Sequence, residues 1–198
     1  MTEPGHGVPD VPEILTERLH LRAWNPERTA VLAELQADAD LMRYIGTGGI
    51  GAEQTAEQVA GWMEQWRTNG HSVWAACDRT TGRCIGRVGV SRYPEVDDAE
   101  VGWLFGRPWQ GRGLATEGAR ASLRFVFETV GLDRVISICR PENVASERIM
   151  RKLGMVYERE DVHWTLGFPL RIYAIARARW ESLEPEPAEP EPDPATPA

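Results

Sequence analysis

Several things are scarce or missing in this sequence, and each absence narrows its class. No apolar run approaches the roughly 20 residues of a membrane-spanning helix. The opening residues, MTEPGHGVPDVPE, have neither the basic nor the apolar region of a secretion signal. Cysteine is sparse: Cys77, Cys84 and Cys139 are scattered without metal-ligand spacing, which fits a reducing compartment and argues against a disulfide framework. His20 and His71 have no partner at metal spacing, so no metal is assigned. There is no basic surplus either, with 22 Lys and Arg against 30 Asp and Glu and a net charge of −8. Without cations to displace counterions, strong nonspecific binding to nucleic acid is not expected. The expectation is therefore a cytoplasmic protein with neither membrane nor nucleic acid as a partner.

What is present reads as one folded unit. The 198 residues are 42% apolar and 26% charged, enough for a single domain with a substantial core. The end of the chain, EPEPAEPEPDPATPA, alternates acid and proline with almost nothing to bury, so residues 182–198 are expected to form a disordered tail. The first ten residues look similar. Five acids and no base lie in 184–198; without them the charge is about −3. That mild acidic bias suits an amine acceptor. Between the two ends, residues 11–181 form one domain with no internal repeat.

Periodicity divides that domain into elements. ERLHLRAW alternates as a strand does. Asn25 followed by Pro26 starts a helix, with Val31, Leu32 and Leu35 at helical spacing. A second helix carries Thr55, Val59, Trp62, Met63 and Trp66 on one face and stops at Gly70. Two strand-like runs, HSVWAAC and RCIGRVGVSRY, flank the turn DRTTG, and AEVGWLF follows as a further strand. Ala119, Leu123, Val126, Phe127 and Val130 mark a third helix. RVISIC looks like a strand buried on both faces. NVASERIMRKLGM is a short helix, and two long strands, MVYEREDVHWT and LRIYAIARARW, close the domain. The order β-α-α-β-β-β-α-β-α-β-β predicts a mixed α/β sheet. The central strand–helix–strand unit implies a parallel pair, and the hairpins at both ends imply antiparallel pairing.

The stretch RPWQGRGLATEGARASLRF packs glycines into a turn that opens directly into the third helix. Successive N–H groups in such a turn, with the helix dipole behind them, cradle an anion. A nucleoside-triphosphate loop needs a Lys after the glycines, and none is there. A dinucleotide loop needs G-x-G-x-x-G/A and an acid at the end of the next strand. Gly111, Gly113 and Thr116 satisfy only its first two places, and Asp133 precedes the strand RVISIC. The turn could also simply reverse the chain. The remaining match is Q/R-x-x-G-x-G/A, carried by Gln110, Gly111, Arg112, Gly113, Leu114 and Ala115.

That pattern resembles the coenzyme A signature of the GNAT acetyltransferase superfamily. About 30 residues on, ENVASERIMRKLGM is similar to the superfamily's second pattern, an Asn followed three residues later by Ser at the start of a helix ending in KLGM. From about residue 14 to 180 the chain resembles the ribosomal-protein N-terminal acetyltransferase (RimJ/RimL-like) branch, with Trp109 before the glycine turn and Glu117 after it. The resemblance implies a mostly antiparallel sheet with a central parallel pair splayed apart, flanked by about four helices. It implies acetyl-CoA as co-substrate, with its pyrophosphate on the backbone of Gln110 through Thr116 and Arg112 assisting. The pantetheine arm would pair with Trp103, Leu104 and Phe105 and meet Asn143 and Ser146. An amine would attack the thioester directly. Glu100 is the candidate base, with Asp97 and Asp98 as substitutes. Ser146 stands where many relatives use Tyr to protonate the thiolate; it would act there, orient the sulfur, or cap the helix. Arg43, Tyr44, Tyr93, His163 and Trp164 would line the acceptor pocket. A small amine and a protein N-terminus both fit as acceptor, a noncatalytic acyl-CoA-binding sensor or scaffold is the alternative, and the family often forms homodimers.

Overall fold

The computed structural model describes residues 10–93 and 96–183. The expected flexible N-terminus up to residue 9 and the acidic tail from 184 onward lie outside the described residues. The chain runs β1 (Ile14–Leu15), β2 (Leu19–Arg22), α1 (Pro26–Ala37), α2 (Ala52–Asn69), β3 (Val73–Asp78), β4 (Cys84–Tyr93) and β5 (Val96–Phe105). A short turn then leads into α3 (Leu114–Phe125), followed by β6 (Arg134–Cys139), α4 (Val144–Lys152), β7 (Val156–Val162), β8 (Pro169–Ala176) and α5 (Arg177–Leu183). The eight strands form one sheet in the order β1-β2-β3-β4-β5-β6-β8-β7. Every neighbouring pair is antiparallel except β5–β6.

Local sequence explains the helices. Asn25 caps α1 by accepting from the Arg28 N–H, and Pro26 fills the first helical position, where no N–H is needed. Thr55, Val59, Trp62 and Trp66 form the buried stripe of α2. Gly70 then ends that helix in the left-handed conformation, φ 70°. Apolar residues on the two sheet faces make separate cores. Leu104, Val73 and Ala75 pack with Trp24, Leu32, Val59 and Trp62 from the α1–α2 side. Val88, Val90 and Val101 pack with Leu114, Ala119 and Leu123 of α3. Cys77 and Cys84, seven residues apart in sequence, face each other across β3 and β4 as free thiols.

Two features differ from the expectation. A two-residue strand, β1, precedes the first one read from the sequence. The final strand, expected to run to Trp180, stops at Ala176 and becomes α5. The cause is nonlocal. Ala176 pairs with Arg134, the first residue of β6, so beyond it no neighbouring strand remains on that side. The chain turns instead. The Arg177 N–H donates to the Asp133 carbonyl at 2.9 Å and its guanidinium to the Leu132 carbonyl at 2.7 and 3.0 Å. The helical turn then swings Trp180, 1% exposed, onto Phe127.

A buried Trp replaced by Ala loses its transfer free energy and leaves a cavity. Trp180→Ala is expected to destabilise the domain by about 3–5 kcal/mol, read from urea unfolding midpoints. A loss under 1 kcal/mol would mean that α5 does not complete the core.

Candidate active site

The glycine turn is held from three sides. Gln110 donates from Nε2 to the Phe105 carbonyl at 3.0 Å. Arg18 donates from Nη1 to the Arg112 carbonyl at 2.8 Å and pairs with Glu117 in the first turn of α3. Glu117 also accepts from the Thr16 hydroxyl and the Arg18 N–H. Partial burial works against its charge, but these bonds outweigh it and hold the carboxyl below its usual range. Gly111 and Gly113 take φ of 70° and 81°, the left-handed region where a side chain brings strain. Gly113 is the N-cap of α3 and offers no side chain to its first N–H groups. Those donors are left open, as an anion site requires.

Next to the turn, β5 and β6 separate. They are paired only at Ala99–Val135 and Glu100–Ile136. Beyond that, the Ser137 hydroxyl reaches the Val101 carbonyl at 2.9 Å, and the strands then diverge. The Gly106 N–H donates to the Ile85 carbonyl, which fixes the phase of the β4–β5 ladder. Alternation then turns the backbone groups of Leu104 toward Arg87 on β4, and those of Trp103 and Phe105 into the gap. Gln110 occupies the Phe105 carbonyl. The Trp103 N–H and C=O and the Phe105 N–H therefore make up the free edge, which is narrower than the three-residue surface expected, with Leu104 contributing only its side chain.

A cavity of about 1020 Å³ joins the gap to the α1–α2 side of the sheet. It brings together Glu100, Trp103, Leu104, Phe105, Gln110, Gly111, Gly113, Leu114, Ala115, Thr116, Asn143 and Ser146. Arg43, Tyr44, Tyr93, His163 and Trp164 line its other end. Arg112 is the exception among the expected residues. Its guanidinium lies 5.1 Å from the Trp109 ring, outside the lining. Asn143 caps α4 by accepting from the Ser146 N–H at 3.2 Å, leaving its amide NH₂ to face the cavity. The Ser146 hydroxyl has no hydrogen-bond partner among the described residues.

Glu100 is half-buried and lines this cavity. Burial pushes its carboxyl up to about 8, with Arg87 pulling the other way. Asp98, weighed as a substitute, is paired with Arg134 at 3.0 Å. The side chain of Asp97 lies outside the described residues.

Of the lining arginines that were not singled out from sequence, two have a buried Nε, Arg87 and Arg140. Arg87 is 9% exposed, lies 5.2 Å from the Trp62 ring, and has no carboxylate within ion-pair distance among the described residues. It stands alone in the apolar run CIGRVGV, and a lone charge inside a buried strand is the signal that could have marked it. Arg140 donates to the Gly46 carbonyl at 2.9 Å and lies 3.7 Å from the Phe168 ring, tying the α1–α2 loop to the β7–β8 hairpin. No cluster of metal-ligating residues occurs among the described residues. No helix there is long and apolar enough to cross a membrane.

Comparison with known proteins agrees with this geometry. Residues 18–156 match the family described as "Acetyltransferase (GNAT) domain". The chain is 30% identical over 142 residues to the uncharacterized N-acetyltransferase YnaD of Bacillus subtilis, spanning 72% of this chain and 81% of that one. A GNAT-family acetyltransferase from Bacillus anthracis superposes with a TM-score of 0.71 at 27% identity, covering 84% of this chain and 99% of that one. At the level of fold alone, RimL, a ribosomal α-N-protein acetyltransferase in complex with coenzyme A, superposes with a TM-score of 0.69 at 18% identity, covering 84% and 97%.

The raised carboxyl of Glu100 has a stability consequence of definite sign. Its folded value, about 8, lies above the ordinary 4.5, so the fold favours the protonated form. Native stability is then penalised progressively as pH rises from about 4.5 to 8, and no further above that. Glu100→Gln removes the titration. Its stability relative to the parent is expected to increase between pH 5 and pH 9 in urea unfolding. A pH-independent difference would show that Glu100 ionises normally.

Proposed function

The chain belongs to the GNAT acetyltransferase family, and on that premise we propose that it transfers the acetyl group of acetyl-CoA directly to the primary amine of a small acceptor, both bound at once. Acetyl-CoA-dependent N-acetyltransfer is the family's activity. The finer assignments rest on how this chain's residues are disposed around one cavity. Acetyl-CoA, when bound, supplies an activated acyl group as a thioester.

The residues present fit that co-substrate. The uncapped first turn of α3 and the left-handed glycines leave N–H groups open for a pyrophosphate. The free edge of β5 at Trp103 and Phe105 suits an amide-bearing arm that adds to the sheet like a strand. The Asn143 amide borders the same gap. A backbone N–H of β5 is the donor for the negative charge that develops on the acetyl oxygen. Ser146, with its hydroxyl uncommitted, orients or protonates the sulfur. A thiol of ordinary acidity leaves without a strong acid, so Ser serves where Tyr is used elsewhere.

Glu100 carries the reading. An amine attacks only as the free base, and a carboxyl held near 8 is matched to taking a proton from an ammonium at neutral to mildly alkaline pH. It stands where β5 and β6 begin to part, between the gap and the α1–α2 side of the cavity. The roof favours a small acceptor over a protein N-terminus. Arg140 bridges Gly46 and Phe168, and Tyr93 contacts Trp164 across the mouth with ring centroids 6.1 Å apart.

Two substitutions test the two halves of this reading. Glu100→Gln is expected to lower kcat about 10²- to 10⁴-fold and to abolish the rise of kcat/KM with pH centred near 8; a parental pH profile would remove Glu100 as base. Gly113→Val brings strain and bulk to the turn and is expected to weaken acetyl-CoA binding at least tenfold in calorimetry, with the circular dichroism spectrum unchanged. Parental affinity would remove the turn as the pyrophosphate site.

A further inference from the structure

The cavity holds a charge that the acetyl-transfer reading does not use. Arg87 sits in the middle of β4, directly opposite Leu104 on β5. It is 9% exposed. Its Nε is buried with no hydrogen-bond partner, and no hydrogen bond or ion pair to its other two nitrogens occurs among the described residues. Its guanidinium lies over the Trp62 ring and feels the charge of Glu100 without touching it. A buried cation without a partner costs several kcal/mol and is normally paired. Arg134 follows that rule by pairing with Asp98 and Glu158, and Arg177 is bonded to the Leu132 carbonyl. Arg140 also has a buried, unpartnered Nε, but unlike Arg87 it donates to a carbonyl, that of Gly46.

Position gives the orphan charge its meaning. Arg87 and Glu100 project from the same face of the sheet, because the β4–β5 register sets Arg87 opposite Leu104 and Ser91 opposite Glu100. Gly102 lies between Leu104 and Glu100 on that face. Its missing side chain leaves room: a Cβ there would stand 3.8 Å from Nη1 of Arg87. The guanidinium thus lies over Gly102, two residues along β5 from Glu100, a step of about 6.8 Å. Both residues line the cavity. They stay out of ion-pair distance of each other, so a ligand can fit between them.

We propose that Arg87 binds a carboxylate carried by the acceptor, making the substrate a small amino acid whose amine is a few bonds from its acid group. The inference rests on the acetyl-transfer reading and specifies its acceptor. The amine faces Glu100 and the gap, and the carboxylate takes the forked donors of Arg87, two parallel N–H bonds that match its planar geometry. One guanidinium balances one negative charge, which suits a carboxylate better than a phosphate dianion. Trp62 packs against the guanidinium from α2, and the low-dielectric wall it provides strengthens the pair. The arrangement also selects against neutral amines, because without a carboxylate the buried charge stays unpaired.

The test compares matched acceptors. Steady-state kcat/KM for acetyl-CoA-dependent acetylation is measured on a panel of free amino acids, their α-carboxamides, and the pair O-phosphoethanolamine and ethanolamine. The parent enzyme is expected to favour at least one amino acid over its carboxamide by about 10- to 100-fold. In Arg87→Met that ratio collapses to within threefold, and Arg87→Lys keeps part of it. Arg87 also lowers the carboxyl of Glu100, but that effect acts on every acceptor alike and leaves the ratio untouched. Should Arg87→Met fail to fold, the parental ratio and its shift in Arg87→Lys decide. The proposal is overturned by equal turnover of acids and amides, by a preference that survives loss of Arg87, or by phosphoethanolamine outrunning every carboxylate. Acetyl-CoA binding in calorimetry with no amino acid acetylated overturns it as well. Failure to bind acetyl-CoA removes the underlying acetyl-transfer reading, whereas binding without the acid preference removes only the acceptor assignment.

Discussion

The separation of β5 from β6 is the constraint on which everything else depends. A parallel pair inside a sheet normally bonds along its length, and here it stops after Glu100 and Ile136. The Trp103 N–H and C=O and the Phe105 N–H, which would have completed the ladder, face open space instead. Such groups are expensive to bury unpaired, so the gap persists only if something else pairs them. The structure secures its shape at both ends. Ser137 closes the narrow end by donating to the Val101 carbonyl, and Gln110 holds the Phe105 carbonyl at the wide end. The glycine turn follows at once, so the free strand edge and the anion cradle lie in line. That collinearity suits one extended ligand with amides in its arm and phosphates at its end.

The second organising feature is an electrostatic imbalance inside a mildly acidic protein. Outside the acidic tail the chain is only slightly negative, and its overall charge suggested an affinity for cations. The cavity reverses this: Arg43, Arg87, Arg107, Arg140, Arg148 and Lys152 line it, against Asp40 and Glu100. Net charge is an average over the surface, whereas a ligand meets the field inside a cleft with low-dielectric walls. Part of the positive lining, near α4 and the turn, lies where phosphates would sit. Arg87 lies too deep on the opposite side of the gap for that. Its separation from Glu100 also matters to the base. A direct ion pair would hold the carboxyl low and make it a poor proton acceptor. With Arg87 further away, burial dominates and the carboxyl stays near 8.

The features legible in the sequence were local ones. The glycine turn, the Asn143-x-x-Ser146 start of α4 and the Thr55–Val59–Trp62–Trp66 stripe depend on neighbours within a few residues, and chain order alone set the element sequence. The unread features depend on partners distant in sequence. β8 ends at Ala176 because β6 begins at Arg134, 42 positions earlier in the chain. That the Leu104 backbone faces β4 follows from the phase of its ladder, which a one-residue slip would reverse. Arg112 looked useful because it sits among glycines, yet its side chain folds back over Trp109. That Arg87 lacks an ion-pair partner among the described residues depends on acids distant in sequence, and no window of sequence contains it.

These nonlocal features divide the site into a part that any acceptor must satisfy and a part that chooses among acceptors. The turn, the free edge of β5 and the head of α4 meet a ligand whose chemistry is fixed, and local motifs suffice to build them. The acceptor side is assembled from the α1–α2 loop, the face of β4 and the β7–β8 hairpin, joined only by contacts such as Arg140 to Gly46 and Phe168. The two sides also meet where Arg107, just before the turn, pairs with Asp38 and Asp40 at the start of the α1–α2 loop. On the proposed reading, specificity resides in residues that a motif search passes over. A buried charge on the rigid central strand is the best placed of these, because it has no freedom to retreat to solvent when the acceptor lacks a counter-charge.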